Sequence, residues 1–207
     1  MIIEQILVTG MLVFCYLIGE EDSREGVLID PAGDFHKIFE KVNEHRINVK
    51  WIINTHGHFD HISGNSYVVD KTNAGLLIHR FDERKLRSRI NRLLSRMMGG
   101  MTSPDPVKYL DDGDEIEIGD IKLKVIHTPG HTKGSICIYL NGHIFTGDTL
   151  FTEGLGRTDL LGANHNEIIL SIKKRILTLP DETIIWPGHH YGISATSTVK
   201  EQKMIYL

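Results

Sequence analysis

Seven residues between positions 56 and 189 have the side-chain types and spacing of metal ligands. The densest group is Thr55-His56-Gly57-His58-Phe59-Asp60-His61, directly after the apolar run Trp51 to Asn54, and four of those residues are ligand-type. If the chain leaves that run extended, His56 and His58 point to the same side, because strand side chains alternate with period two. Asp60 and His61 follow an expected turn into a helix, which directs them elsewhere and leaves room for a second ion beside the first. Three more candidates share one context, an apolar run, small turn residues and then a ligand: Pro129-Gly130-His131, Thr146-Gly147-Asp148 and Pro187-Gly188-His189. Open sheets place their sites just beyond strand ends, so four loops can meet at one edge. Five histidines and two aspartates exceed the four ligands of a closed structural zinc site and suit a dinuclear one that keeps a position open. Nitrogen and oxygen donors without thiolate match Zn(II), Fe or Mn.

The chain holds 12 histidines. His36, His45, His143 and His165 fall on expected helices or turn flanks and read as solvent-facing, whereas His79 and His127 sit on expected strands as core or site-adjacent residues. His190 is left open. Asp30 ends the run Val27 to Asp30 and is either a turn residue or the partner that a ligating histidine needs at its second ring nitrogen.

The elements that must hold these residues read from the pattern. Strands are expected at Ile2 to Val8, Met11 to Ile18, Gly26 to Asp30, Val49 to Asn54 and Gly75 to His79. A helix with one apolar stripe is expected over Asp34 to Asn48, and another around Tyr67 and Val68. Hairpins follow at Glu115 to His127, turning at Gly119-Asp120, and at Ser135 to Thr146, turning at Asn141-Gly142. Asn164 to Leu179 reads as a helix with Asn164 as N-cap and Glu167 three residues on, and Thr183 to Trp186 as the last strand. Residues 80 to 110 break the pattern: Arg84 to Arg96 carries six basic residues, no acid and apolar residues at helical spacing, so one amphipathic basic helix is expected. Its charge is either a solvated face, a lid or lip for an anionic substrate, or a dimer contact.

Composition sets the frame. The 207 residues, 41% hydrophobic with 27 acidic against 23 basic, form one ordinary domain spanning 1–207. The net charge of −4, with a single basic patch, argues against nucleic acid. The eight-residue apolar run Met11 to Ile18 is too short to cross a membrane, which takes about 20 residues. No basic residue precedes it, so the expected location is the cytoplasm. Cys15 and Cys137 lie in apolar runs and read as buried strand thiols in a reducing compartment. Composition sets no oligomeric state.

Thr55 to His61, His131, Asp148 and His189, with further likeness in Val27 to Gly33 and Asp111 to Gly119, resemble the metallo-β-lactamase superfamily. The resemblance implies an α/β fold, a four-layer αββα sandwich with a metal site at one edge of its two sheets. Asp60 and the spacing to Asp148 and His189 look like the glyoxalase II (hydroxyacylglutathione hydrolase) and persulfide dioxygenase branch. Carried over, His56, His58 and His131 hold a first metal, Asp60, His61 and His189 a second, and Asp148 bridges them. The implied activity is that of a short glyoxalase II-like thioester hydrolase acting on an S-acyl thiol such as S-D-lactoylglutathione. Its two ions, zinc or else iron or manganese, would lower the pKa of a shared water. Asp60 orients the resulting hydroxide, and Arg157 and Tyr191 are the candidate substrate contacts.

Only 18 residues follow His189, so the C-terminal helical domain with which full-length glyoxalase II enzymes hold glutathione is expected to be missing. Gly156-Arg157-Thr158-Asp159 and Ser197-Thr198-Val199 look as much like persulfide dioxygenases, where one iron is held by the residues matching His56, His131 and Asp148. That mononuclear iron enzyme is the alternative. A metal-dependent phosphodiesterase is the second, although such enzymes bring an extra domain and a broader basic face. Arg157 and Asp159 are also expected to pair and shape their loop.

Overall fold

The computed structural model describes residues 1–97 and 99–207. The first half runs β1 Ile2–Val8, β2 Val13–Gly19, β3 Glu25–Ile29, α1 Phe35–Glu44, β4 Asn48–Asn54, α2 Phe59–Ile62, α3 Asn65–Thr72, β5 Gly75–His79, α4 Glu83–Leu86, α5 Arg89–Met97 and β6 Lys108–Leu110. The second runs β7 Glu115–Ile118, β8 Ile121–His127, β9 Ile136–Leu140, β10 His143–Gly147, α6 His165–Ser171, β11 Ile184–Pro187, β12 Ser197–Thr198 and α7 Val199–Tyr206. Two six-stranded mixed sheets result, one ordered β1-β2-β3-β4-β5-β6 and the other β12-β11-β10-β9-β8-β7.

Strand alternation explains the four layers. In β2, Phe14, Tyr16 and Ile18 enter the core between the sheets, while Val13, Cys15 and Leu17 face the helices outside. Every position of β2 is therefore buried, and a strand covered on both faces reads as a continuous apolar run. Ile53 and Leu77 meet Val125, Ile138 and Phe145 in the central core. Ile38 and Val42 of α1 and Val68 of α3 cover the first sheet, and Ile168 of α6 and Val199 of α7 cover the second. Each such side chain contributes about 1.5–3 kcal/mol on burial. The metallo-β-lactamase-type αββα sandwich expected from the sequence is the fold observed.

Three local expectations change. The basic stretch is two helices, α4 and α5, and the apolar stripe drawn on it does not pack as one: Leu86 is buried, whereas Ile90, Leu93 and Met97 are 62–74% exposed. The segment expected as a helix to Leu179 is α-helical only to Ser171 and widens into a π turn over Ile172–Ile176, which still buries Ile172 and Ile176. The strand expected to be last is followed by β12 and by α7, whose N-terminus carries a Thr198/Glu201 capping box. Among the described residues, no helix is long and apolar enough to cross a membrane. Cys15 and Cys137 are buried free thiols.

Candidate metal centre

All the candidate ligands sit just past strand ends. β4 delivers His56 and His58, α2 turns Asp60 and His61 inward, and the loops after β8, β10 and β11 deliver His131, Asp148 and His189. The two sheets are stitched together there: Ile136 N–H donates to the Thr55 carbonyl, Phe14 N–H to the Gly188 carbonyl, and the Tyr16 hydroxyl to the Pro187 carbonyl. Close approach demands glycine at two points. A Cβ on Gly188 would press on Asp148 Oδ1, and one on Gly156 would collide with the Asp148 carbonyl and crowd His131 Nδ1.

The structure brings together all seven predicted ligands. His56, His58 and His131 form one group and Asp60, His61 and His189 another, each with its ligand atoms within 4.8 Å of one another. Asp148 stands between them, Oδ1 at 3.3 Å from His61 Nε2 and Oδ2 at 3.5 Å from both His131 Nε2 and His189 Nε2. His58 Nδ1 lies 2.9 Å from His131 Nε2, and His61 Nε2 lies 3.2 Å from His189 Nε2.

These spacings suit ions. With metal–nitrogen bonds of about 2.05 Å, two tetrahedral ligands stand about 3.3 Å apart. The outer ring nitrogens point the same way. His131 Nδ1 donates to the Arg157 carbonyl at 2.9 Å and His189 Nδ1 to the Met11 carbonyl at 3.1 Å. A carbonyl only accepts, so each neutral ring turns the lone pair of Nε2 inward. His61 Nδ1 donates to Asp30 Oδ2 at 2.9 Å with the same result. Two buried polar atoms of the site, His56 Nε2 and Asp148 Oδ1, have no hydrogen-bond partner among the described residues. Buried polar groups are almost always paired, and a cation supplies what both lack.

The electrostatics agree. Burial, then the neighbouring His61, holds the His56 imidazole well below its ordinary range. Burial and His131 push His58 down to about 3. In the second group burial works against the charged imidazole, but Asp148 and Asp30 outweigh it and raise His61, and Asp148 and Asp60 raise His189 to about 9. Asp148 is held well below the carboxylate range because His61 and His189 outweigh its burial. The carboxylates therefore require positive charge in this group, whether protons or a metal ion.

Asp30 takes the orienting role that the sequence left open. Its backbone is left-handed at φ 50°, its Oδ1 accepts from Thr55 N–H, and its Oδ2 accepts from the Thr55 hydroxyl and His61. Arg157 and Tyr191 both line the cavity over the centre. The Arg157 guanidinium forks onto Asp159 at 2.7 and 3.0 Å, the pairing expected from the sequence. Tyr191 stacks on His189 with ring centroids 4.6 Å apart. His79 and His127 stack on each other, not on the ligands.

Sequence reasoning missed Asp82. This fully buried carboxylate accepts from Gly57 N–H at 2.8 Å and Gly134 N–H at 3.2 Å, tying the loop of His56 and His58 to the loop of His131. An acid one turn past a strand has no pattern that would reveal this. Asn91 was missed too: its amide donates to the carbonyls of Gly57 and Lys85, clamping α5 to the same loop.

The profile of the Metallo-beta-lactamase superfamily matches residues 8–189, and the chain belongs to that family. It is 34% identical over 195 residues to the human mitochondrial persulfide dioxygenase ETHE1, covering 93% of this chain and 69% of the relative. The crystal structure of ETHE1 from Myxococcus xanthus superposes with a TM-score of 0.84 at 30% identity, over 100% of this chain and 83% of that one. The BLEG-1 B3 metallo-beta-lactamase superposes with a TM-score of 0.86 at 30% identity, over 98% and 97%.

Proposed function

We propose that the chain is an iron-dependent dioxygenase acting on the persulfide of a small thiol, with His56, His131 and Asp148 holding the metal. The observation that carries this reading is that Asp148 Oδ2 lies 3.5 Å from His131 Nε2 while the His56 ring, its Nε2 buried without a partner, packs against His131 with ring centroids 4.8 Å apart. Two histidines and a carboxylate with open positions are the donor set of non-haem iron(II) oxygenases. Likeness to the human persulfide dioxygenase ETHE1 and to the ETHE1 structure from Myxococcus xanthus supports it and favours it over the glyoxalase II-type hydrolase expected from the sequence.

When bound, iron would supply a place for dioxygen and the persulfide sulfur to meet. The residues of the chain set up that meeting. The Arg157 carbonyl fixes the tautomer and tilt of His131, and the hydroxyl of Thr55, held by Asp30, sits 3.2 Å from His56 Nδ1. Phe151 and Leu155 bring apolar surface to the cavity beside the ligands, and Tyr191 covers His189. In the balanced reaction the persulfide, dioxygen and one water give thiol and sulfite. The persulfide loses four electrons to dioxygen, the S–S bond breaks with its pair on the inner sulfur, and that sulfur leaves protonated.

A hydrolase with two zinc ions is the second reading. It is favoured by Asp60, His61 and His189, a complete second ligand group that a three-residue iron site leaves over; there Asp60 would hold the attacking water. Oxygen uptake with sulfite release on glutathione persulfide, against thiol release from S-lactoylglutathione and cleavage of bis-p-nitrophenyl phosphate, decides among the chemistries. Hydrolysis without oxygen consumption overturns the dioxygenase reading.

A further inference from the structure

The cavity above the centre encloses about 890 Å³, ample for a substrate much larger than a persulfide group. Two cations reach it, Lys85 and Arg157. Arg157 is spent on Asp159. Lys85 has no carboxylate within ion-pair distance among the described residues, and Glu153, the acid on the cavity wall away from the ligands, accepts from Ile193 N–H. The basic stretch that stood out in the sequence therefore places one of its six basic residues on the cavity wall.

Lys85 is also built in. Its stem packs over Gly57, so closely that a Cβ there would lie 2.7 Å from Lys85 Cβ and 3.0 Å from Cδ. Its carbonyl accepts from the Asn91 amide that also holds the Gly57 carbonyl. Lys85, on α4, is thus packed against the loop that carries His56 and His58. Around it the wall is apolar: Ile90, Leu94, Leu155 and Leu161 all line the cavity, and Ile90 and Leu161 are 69% and 100% exposed.

We propose that Lys85 is the anion contact of the substrate, and that this cavity selects thiol derivatives bearing a carboxylate or phosphate on an arm that runs along the Ile90, Leu94 and Leu161 wall. The proposal rests on the thiol-substrate reading above but not on the reaction performed. Its test uses the metal-loaded full chain and calorimetric binding of unreactive probes: S-methylglutathione for carboxylate, its diethyl ester as the neutral counterpart, and desulfo-coenzyme A for phosphate. Wild type should bind one of the acidic probes more tightly than the neutral ester. Lys85→Met should weaken that acidic probe about tenfold, as loss of a charge-assisted hydrogen bond does, leave the ester unchanged and retain the metal content of wild type. Arg157→Met should have a smaller effect on the same probe. Whether the carboxylate or the phosphate probe responds identifies the anion. Equal binding of acid and ester, equal weakening of all three probes, or no binding of any would overturn it. Binding as expected without oxygen uptake on glutathione persulfide would sink the dioxygenase reading alone.

Discussion

Asp30 Oδ2 lies 2.9 Å from His61 Nδ1 while the same carboxylate receives both the amide and the hydroxyl of Thr55. One buried side chain thus sets the ring of a candidate ligand and the start of the loop that carries two others. Asp30→Asn keeps the shape and removes the charge. Where His61 ligates, as in the dinuclear reading, apparent affinity for the second metal should fall roughly 10–100-fold, the usual cost of losing such a partner, measured by competition with a chromogenic chelator. Unchanged affinity would mean that His61 holds no metal, as the three-ligand reading has it, and that Asp30 serves the Thr55 turn.

Asp82 reaches the centre through two backbone amides and touches no ligand. Asp82→Ala leaves both amides buried and unpaired, a loss of about 1–3 kcal/mol for each such group. Urea unfolding should show that loss in the metal-free protein, and iron content after purification should fall with it. Asp82→Asn, whose amide oxygen can accept one of the two bonds, should recover part of both.

His58 and His56 should separate under mutation. His58→Ala removes a residue outside the proposed iron triad, so one iron per chain and most of the oxygen uptake should persist. His56→Ala should lose both. If His58→Ala abolishes bound metal altogether, the three-ligand reading falls and the dinuclear one gains.

Metal removal should cost stability out of proportion to the number of atoms removed. An ion present at a thousand times its dissociation constant adds about 4 kcal/mol, which in a chain of this size is roughly 8–16 °C in Tm. Differential scanning calorimetry with and without a chelator measures the shift, and readdition of iron should restore it. A shift under ~2 °C would speak against tight binding.

Asp34 offers a pH test away from the centre. The Thr9 amide, then Lys37, hold its carboxyl down at about 2. Because the folded value lies below the unfolded one, its stabilisation is complete above about pH 4 and fades as pH falls through about 2. Asp34→Asn should therefore cost about 1–2 kcal/mol at pH 6, after allowance for partial exposure. The gap from wild type should close towards pH 2 in paired urea titrations. A gap independent of pH would assign the effect to shape.

The sequence showed the seven ligand-type residues because strand ends repeat one local grammar, an apolar run, a small residue and then a donor, and each instance can be read without knowing its neighbours in space. Strands β7 and β8 emerged at their observed bounds because the residues facing the core alternate along them. What escaped was non-local or weakly patterned. Strand β6 has three residues, too few for any period. Helices α4 and α5 looked like one helix because periodicity does not register the break at Arg87 and Ser88. Their exposed apolar residues looked like core because spacing records amphipathicity, not what lies opposite. Asp82 and Asn91 act on backbone groups of distant loops, which leaves no mark on composition. The Thr198/Glu201 capping box was legible and simply lay beyond the strand taken as last.

The ligands come from both sheets, His56 to His61 from one and His131, Asp148 and His189 from the other. Neither half of the polypeptide holds the full donor set, so an ion bound by residues of both would tie the two sheets together. Residues such as Ile90 and Leu161 ride on segments that contribute no donor. Selection can therefore reshape what is recognised while leaving the clasp between the halves, and the durability it confers, intact.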